Sequence, residues 1–158
     1  MIKNRMDTAK RISELRELMQ AEGVSACIVP STDPHLSEYP AACWKIREWI
    51  SGFTGSAGTV VVTADKAGLW TDSRYFIQAE TQLAGSGILL FKEKMPGTPT
   101  VNEWLGEELK KGSVVGIDGS VFAASDVKEL KSYLVSRELN PNTTFMPWNK
   151  LWKDRPAV

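Results

Sequence analysis

The residues able to do chemistry fall in three short stretches. The only histidine, His35, lies in the segment 31–42 (STDPHLSEYPAA), with Asp33 and Glu38 nearby. The pattern D-x-H-x-x-E could be imagined as a metal site. Closed sites, however, take three or four protein ligands, and no fourth is near. A structural histidine with hydrogen-bonded neighbours accounts for the spacing, as does a His–carboxylate pair that positions a neighbouring domain or a substrate. The second stretch is GFTGSAG, where Gly52, Gly55 and Gly58 recur every three residues. A phosphate-binding loop follows a strand and opens a helix, so that helix-terminal N–H groups face the anion. Here the glycines precede a β-branched run and no GKS/T follows. They read as a tight loop that needs positive φ or close backbone contact. The third stretch carries Trp70, Asp72 and Arg74.

Arg74 is the odd residue. It falls in the first turn of an expected helix, where the macrodipole disfavours a cation. Two readings stay open. Arg74 forms a surface ion pair with Asp72, or its fork is held ready for a carboxylate or carbonyl elsewhere, with Trp70 as an apolar wall. No nucleophilic triad can be assembled from one histidine, no G-x-S-x-G, and cysteines without a sequence-level partner. The nineteen acids offer pairs, but nothing singles out two for acid–base work.

The elements that must position these residues follow from periodicity. Asp7 is placed to cap a helix over about residues 7–22, with Ile12, Leu15, Leu18 and Met19 on one face and Gly23 as the stop. Residues 24–29 read as a buried strand closed by Pro30. Residues 43–50 (CWKIREWI) form a short helix. Residues 59–63 and 69–71 are two strands of a hairpin around the turn 64–68. A helix over about 72–84 follows, capped by Thr71 or Asp72, with Phe76, Ala79 and Leu83 buried. A strand at 88–91 leads to a helix begun by a Thr100–Glu103 capping box, with Val101, Trp104, Leu105 and Leu109 as its stripe. A strand at 114–117, a helix from Ser125 to about Glu138 with Val127, Leu130, Leu134 and Val135 inward, and a strand at 143–146 complete the pattern. This alternation with one embedded antiparallel hairpin predicts an α/β domain, a mixed sheet with helices on both faces.

Composition excludes several classes. The chain of 158 residues suits one domain with a real core. Nineteen basic and nineteen acidic side chains cancel, and no basic run occurs, which argues against nucleic acid or an anionic membrane surface as a partner. No apolar run approaches the ~20 residues of a membrane helix. The charged N-terminus does not read as a secretory signal. Cys27 and Cys43 show no metal-ligand spacing and are expected to be free thiols in a reducing cytosol.

Four blocks, STDPHLSEY (31–39), SGFTGSAGT (51–59), LWTDSRYFIQA (69–79) and LWKDRP (151–156), resemble in order and spacing the N-terminal domain of cytosolic-type Xaa-Pro aminopeptidases. That resemblance implies the creatinase/prolidase N-terminal fold, of ribonuclease-H-like type. It implies that the whole enzyme removes the first residue from peptides with proline second. It also implies a catalytic pita-bread domain that holds two divalent metals, usually manganese, on two Asp, one His and two Glu. None of those motifs can be placed in residues 1–158, so this chain is expected to be a single non-catalytic domain without cofactor, the metals being in the catalytic domain. The resemblance further implies a cytoplasmic homodimer acting on proline-containing peptides, with this domain leaning over the active-site mouth. Carried onto this sequence, it makes His35, Tyr39, Trp70, Asp72 and Arg74 the candidates for substrate-side or domain-interface contact. Trp148 and Trp152 are expected either on a surface built for the next domain or in this domain's own core. Two alternatives share the fold: a non-catalytic module that binds peptides or histones, and the N-terminal domain of a prolidase or creatinase.

Overall fold

The computed structural model describes residues 2–32, 34–36 and 40–156, so the expectations for Asp33, Glu38 and Tyr39 lie outside the described residues. The described elements are α1 (Ile2–Ala21), β1 (Ala26–Val29), α2 (Ile46–Ser51), β2 (Thr59–Thr63), β3 (Ala67–Thr71), α3 (Phe76–Leu83), β4 (Leu89–Lys92), α4 (Val101–Glu108), β5 (Val114–Gly116), α5 (Ala124–Ser136), β6 (Asn140–Asn142) and α6 (Trp148–Leu151). The strands form one sheet in the order β4-β3-β2-β1-β5-β6. Strand β2 alone is reversed: it pairs antiparallel with β1 and β3, while the other pairs are parallel. The mixed sheet and its embedded hairpin are those expected from the sequence.

Side-chain alternation along the strands builds two cores. Cys27, Val29, Val60, Val62 and Leu69 face one side, under α1, α2, α3 and α6. Ala26, Ile28, Val61 and Trp70 face the other, under α4 and α5. The period of two in the strands thus supplies both faces from the same residues. Both cysteines are free and buried, and burial pushes the Cys27 thiol far above its ordinary range.

Several local expectations are corrected. Helix α1 begins at Ile2, so Asp7 lies inside it and caps nothing. The helix expected over 72–84 is two pieces: a 3₁₀ turn, Ser73–Tyr75, capped by Asp72, and then α3. Arg74 therefore sits in the 3₁₀ turn ahead of the α-helix, and Phe76 is only half-buried. Helix α5 starts at Ala124 after Ala123, with no side-chain cap, so Ser125 is inside the first turn. Val135 is 66% exposed. The last strand is Asn140–Asn142, not 143–146. Proline is tolerated there because β6 is an edge strand, and Thr144 keeps only an isolated bridge to Asp118. The Thr100–Glu103 capping box forms as expected. Trp148 is 4% exposed in the domain's own core, and Trp152 stacks on Trp49 at 5.2 Å between ring centroids.

The glycine loop has two separate reasons for its residues. Gly52 ends α2 at φ 77°, a left-handed cap. Gly55 has ordinary φ but no room: a Cβ there would collide with the Phe53 ring and stand 2.9 Å from Tyr75 Cδ1. Gly55→Ala is expected to destabilise the fold by about 1–3 kcal/mol through overpacking. Denaturant midpoints for the wild type and this variant measure it, and an unchanged midpoint would contradict the packing described.

Candidate substrate-side and domain-interface site

The strand directions gather the candidate residues at one edge of the sheet. Strands β1, β3, β4 and β5 all end at the edge where β2 begins, since Val29 pairs with Val60, Thr59 with Trp70, and Thr71 with Lys92. The loop bearing His35, the glycine loop, the Asp72–Arg74 turn and Glu93–Lys94 all leave from this edge. In open α/β sheets such strand ends are where ligands bind.

Asp72 holds the turn. Its Oδ1 accepts from the Arg74 backbone N–H at 3.0 Å, an Asx cap of the 3₁₀ turn. The same carboxylate takes the Arg74 fork, with Nε to Oδ1 at 3.0 Å and Nη2 to Oδ2 at 2.9 Å. The hydrogen bonds from Arg74 hold the Asp72 carboxyl below its usual range. The Arg74 guanidinium also lies 5.1 Å over the Tyr75 ring. The Tyr75 hydroxyl shares a hydrogen bond with Ser56 of the glycine loop, and its ring meets Phe53 edge-on at 6.0 Å. The glycine loop is therefore the floor beneath Arg74: it fixes Tyr75, and Tyr75 with Asp72 orients the guanidinium.

Trp70 plays a different part from the wall expected beside Arg74. It is 2% exposed, stacked on Phe91 at 4.2 Å, edge-on to Trp104 at 5.3 Å, and its Nε1–H donates to the Pro99 carbonyl. It lines a cavity of about 340 Å³ together with Glu93 and Lys94. Partial desolvation in this wall, and then the charge of Asp72, raise the Glu93 carboxyl. His35 is exposed in the turn after β1, at the same edge of the sheet as Arg74. Sequence reasoning missed Tyr75, Glu93 and Arg47. Arg47 had a signal, because it falls four residues after Cys43 and four before Ser51, on the buried side of a short amphipathic helix.

Among the described residues, the arrangement is one that can bind. Glu93 and Lys94 line a cavity with Trp70, and the Asp72–Arg74 turn leaves from the same sheet edge; charged groups beside an aromatic wall suit a peptide with its carbonyls and charged ends. Among the described residues, no group of three or more His, Cys, Asp or Glu is close enough to hold a metal ion. The described residues thus do not fit a two-metal centre. No described helix is long and apolar enough to cross a membrane.

Since the folded Asp72 carboxyl titrates below its unfolded value, the stabilisation from the pair is complete above the ordinary aspartate range. It is lost as pH falls through the folded value. NMR titration is expected to place the Asp72 midpoint below that of an ordinary aspartate, and Arg74→Gln to move it back up. A midpoint indifferent to that substitution would rule out the pair in solution.

The comparisons with known proteins agree with this architecture. The model of the Creatinase/Prolidase N-terminal domain family matches residues 11–151. Aminopeptidase P2 of Arabidopsis thaliana is 45% identical over 153 residues, covering 92% of this chain and 21% of that protein. A probable Xaa-Pro aminopeptidase P of Botryotinia fuckeliana is 48% identical over 132 residues, covering 84% of this chain and 20% of its own length. The chain therefore spans only about a fifth of these relatives. Among solved structures, the X-prolyl aminopeptidase of Caenorhabditis elegans, described as a cytosolic enzyme with a di-nuclear active site, superimposes with a TM-score of 0.90 at 35% identity. That match covers 97% of this chain and 26% of the enzyme. The N-terminal domain of a metallopeptidase from Corynebacterium diphtheriae shares the fold at 20% identity and a TM-score of 0.60. The chain belongs to the Creatinase/Prolidase N-terminal domain family.

Proposed function

We propose that this chain is the non-catalytic N-terminal domain of an Xaa-Pro aminopeptidase, whose full-length form hydrolyses the first residue from peptides with proline in second position. The observation that carries the reading is the superposition of 97% of this chain on one quarter of an X-prolyl aminopeptidase. The names of the curated relatives point the same way.

In this reading the two divalent metals, manganese by the family resemblance, are held by a catalytic domain outside these residues. Bound there, such ions would supply Lewis-acid and activated-water chemistry. This chain's residues bind and orient. The Arg74 fork, pre-set by Asp72 and Tyr75, is offered to a peptide carbonyl or carboxylate at the entrance. Glu93 and Lys94 set the charge of the cavity that Trp70 lines at the same sheet edge. By the family resemblance, His35 and Tyr39 are further contacts to the substrate or the neighbouring domain. The enzyme acts in the cytoplasm as a homodimer, and its partner molecules are proline-containing peptides.

In the full-length protein, Arg74→Ala is expected to raise KM for an Arg-Pro-Pro peptide by about 5–50-fold, from the loss of a charge-assisted hydrogen bond, with the fold intact by circular dichroism. If KM, kcat and dimerisation are all unchanged, Arg74 serves contacts within this domain, such as its pair with Asp72, and not the substrate. The isolated 158-residue chain is expected not to cleave that peptide with or without manganese. Turnover by the pure chain would overturn the assignment.

A further inference from the structure

The loop from β4 to α4 is tied back to β3 at both ends. The Glu93 backbone N–H donates to the Thr71 carbonyl at 3.0 Å, and the Trp70 Nε1–H donates to the Pro99 carbonyl at 2.9 Å. Within the loop, Lys94 is held at φ 65°, a left-handed conformation that suits glycine and disfavours a lysine. Strain of this kind collects at ligand clamps, where the surrounding structure maintains it.

This loop helps to line the cavity of about 340 Å³, in which Trp70, Pro99 and Val101 are the apolar members and Glu93 and Lys94 the charged ones. Neither charged residue enters an ion pair among the described residues, with each other or with a third group. Partial desolvation, and then the charge of Asp72, raise the Glu93 carboxyl, with Lys94 opposing, so its ionised form gains from a further cation placed beside it. The volume is close to the lower bound of ~300 Å³ for small-molecule pockets. A ligand of that size which satisfies both charges carries an ammonium and a carboxylate on a short apolar body.

We propose that the Trp70 cavity is a binding site for a small apolar zwitterion, its ammonium met by Glu93, its carboxylate by Lys94 and its side chain by Trp70, Pro99 and Val101. A free amino acid and a dipeptide both carry that chemistry. The site does not rest on the peptidase reading: it is tested by binding to the chain itself, and unchanged kinetics in Arg74→Ala leave it intact.

Leucine, leucinamide, isocaproate and leucyl-leucine are titrated separately into the 158-residue chain. The Trp70 Nε1–H and Val101 methyl resonances are followed, and calorimetry gives Kd. The expected result is a saturable shift of those resonances with leucine or leucyl-leucine. Leucinamide lacks the carboxylate and isocaproate lacks the ammonium, so each should bind about 10–100-fold more weakly than leucine, through loss of one charge-assisted contact. Glu93→Gln should erase the preference for leucine over isocaproate, and Lys94→Gln the preference for leucine over leucinamide. Tighter binding of leucine than of leucyl-leucine assigns a free amino acid, and the reverse assigns a dipeptide. Should either variant fail to fold, the wild-type affinities decide alone. Resonances that move with neither zwitterion, or leucinamide or isocaproate binding as tightly as leucine, overturn the proposal.

Discussion

The ring of Phe53 is the point on which the functional edge depends. It is fully buried, lies against the Arg47 guanidinium on one side and the Tyr75 edge on another, and leaves no room for a side chain at Gly55. A single aromatic thus ties α2, the glycine loop and the 3₁₀ turn into one packed unit. Each partner needs the others. The loop can approach only because Gly55 lacks a Cβ, and Tyr75 can support Arg74 only because Phe53 and Ser56 hold it from below. Aromatic packing of this kind contributes through buried area and edge geometry, not through any one hydrogen bond.

The second constraint is the reversal of β2. A wholly parallel sheet would place the entry to β2 at the far edge from the strand ends. Reversing this one strand brings the glycine loop to the same edge as Asp72, Glu93 and the loop after β1. The hairpin read from residues 59–71 therefore does more than continue the sheet. It delivers a glycine loop to the edge at which parallel strands already present their ends.

Much of the fold was legible because its signals are local. The β-branched run 59–63, the stop at Gly23 and the Thr100–Glu103 box each act through neighbouring residues, and each formed where expected. The misread elements turn on contacts that sequence spacing does not carry. Ser125 has the residue type of a cap, but α5 starts one residue earlier, and Val135 falls off the stripe that Leu130 and Leu134 keep to the end of the helix. The strand near the C-terminus shifted because Leu139 and Phe145 bury on either side of Asn140–Asn142, and proline propensity yielded to that packing. At the site, the Asp72–Arg74 pair could be read from an i,i+2 spacing across a turn. Helical spacing could show that Arg47 is buried, but its contact with the glycine loop, like the places of Tyr75 and Glu93, depends on the path of that loop and on the register of β3 with β4, neither of which spacing encodes.

Helix α2 carries two kinds of cargo on its six residues. Its Trp49 is stacked on Trp152 and its carbonyl accepts from Arg11, while Arg155 reaches the Cys43 carbonyl just ahead of the helix. Two residues before Trp49 stands Arg47, beneath the glycine loop. A pull on the chain beyond Arg155 would be borne first by the tryptophan stack and the Arg155 hydrogen bond, and then by α2 itself. Because close-packed interiors transmit strain, the Trp49–Trp152 stack and the loop contact of Arg47 are joined through the same short helix.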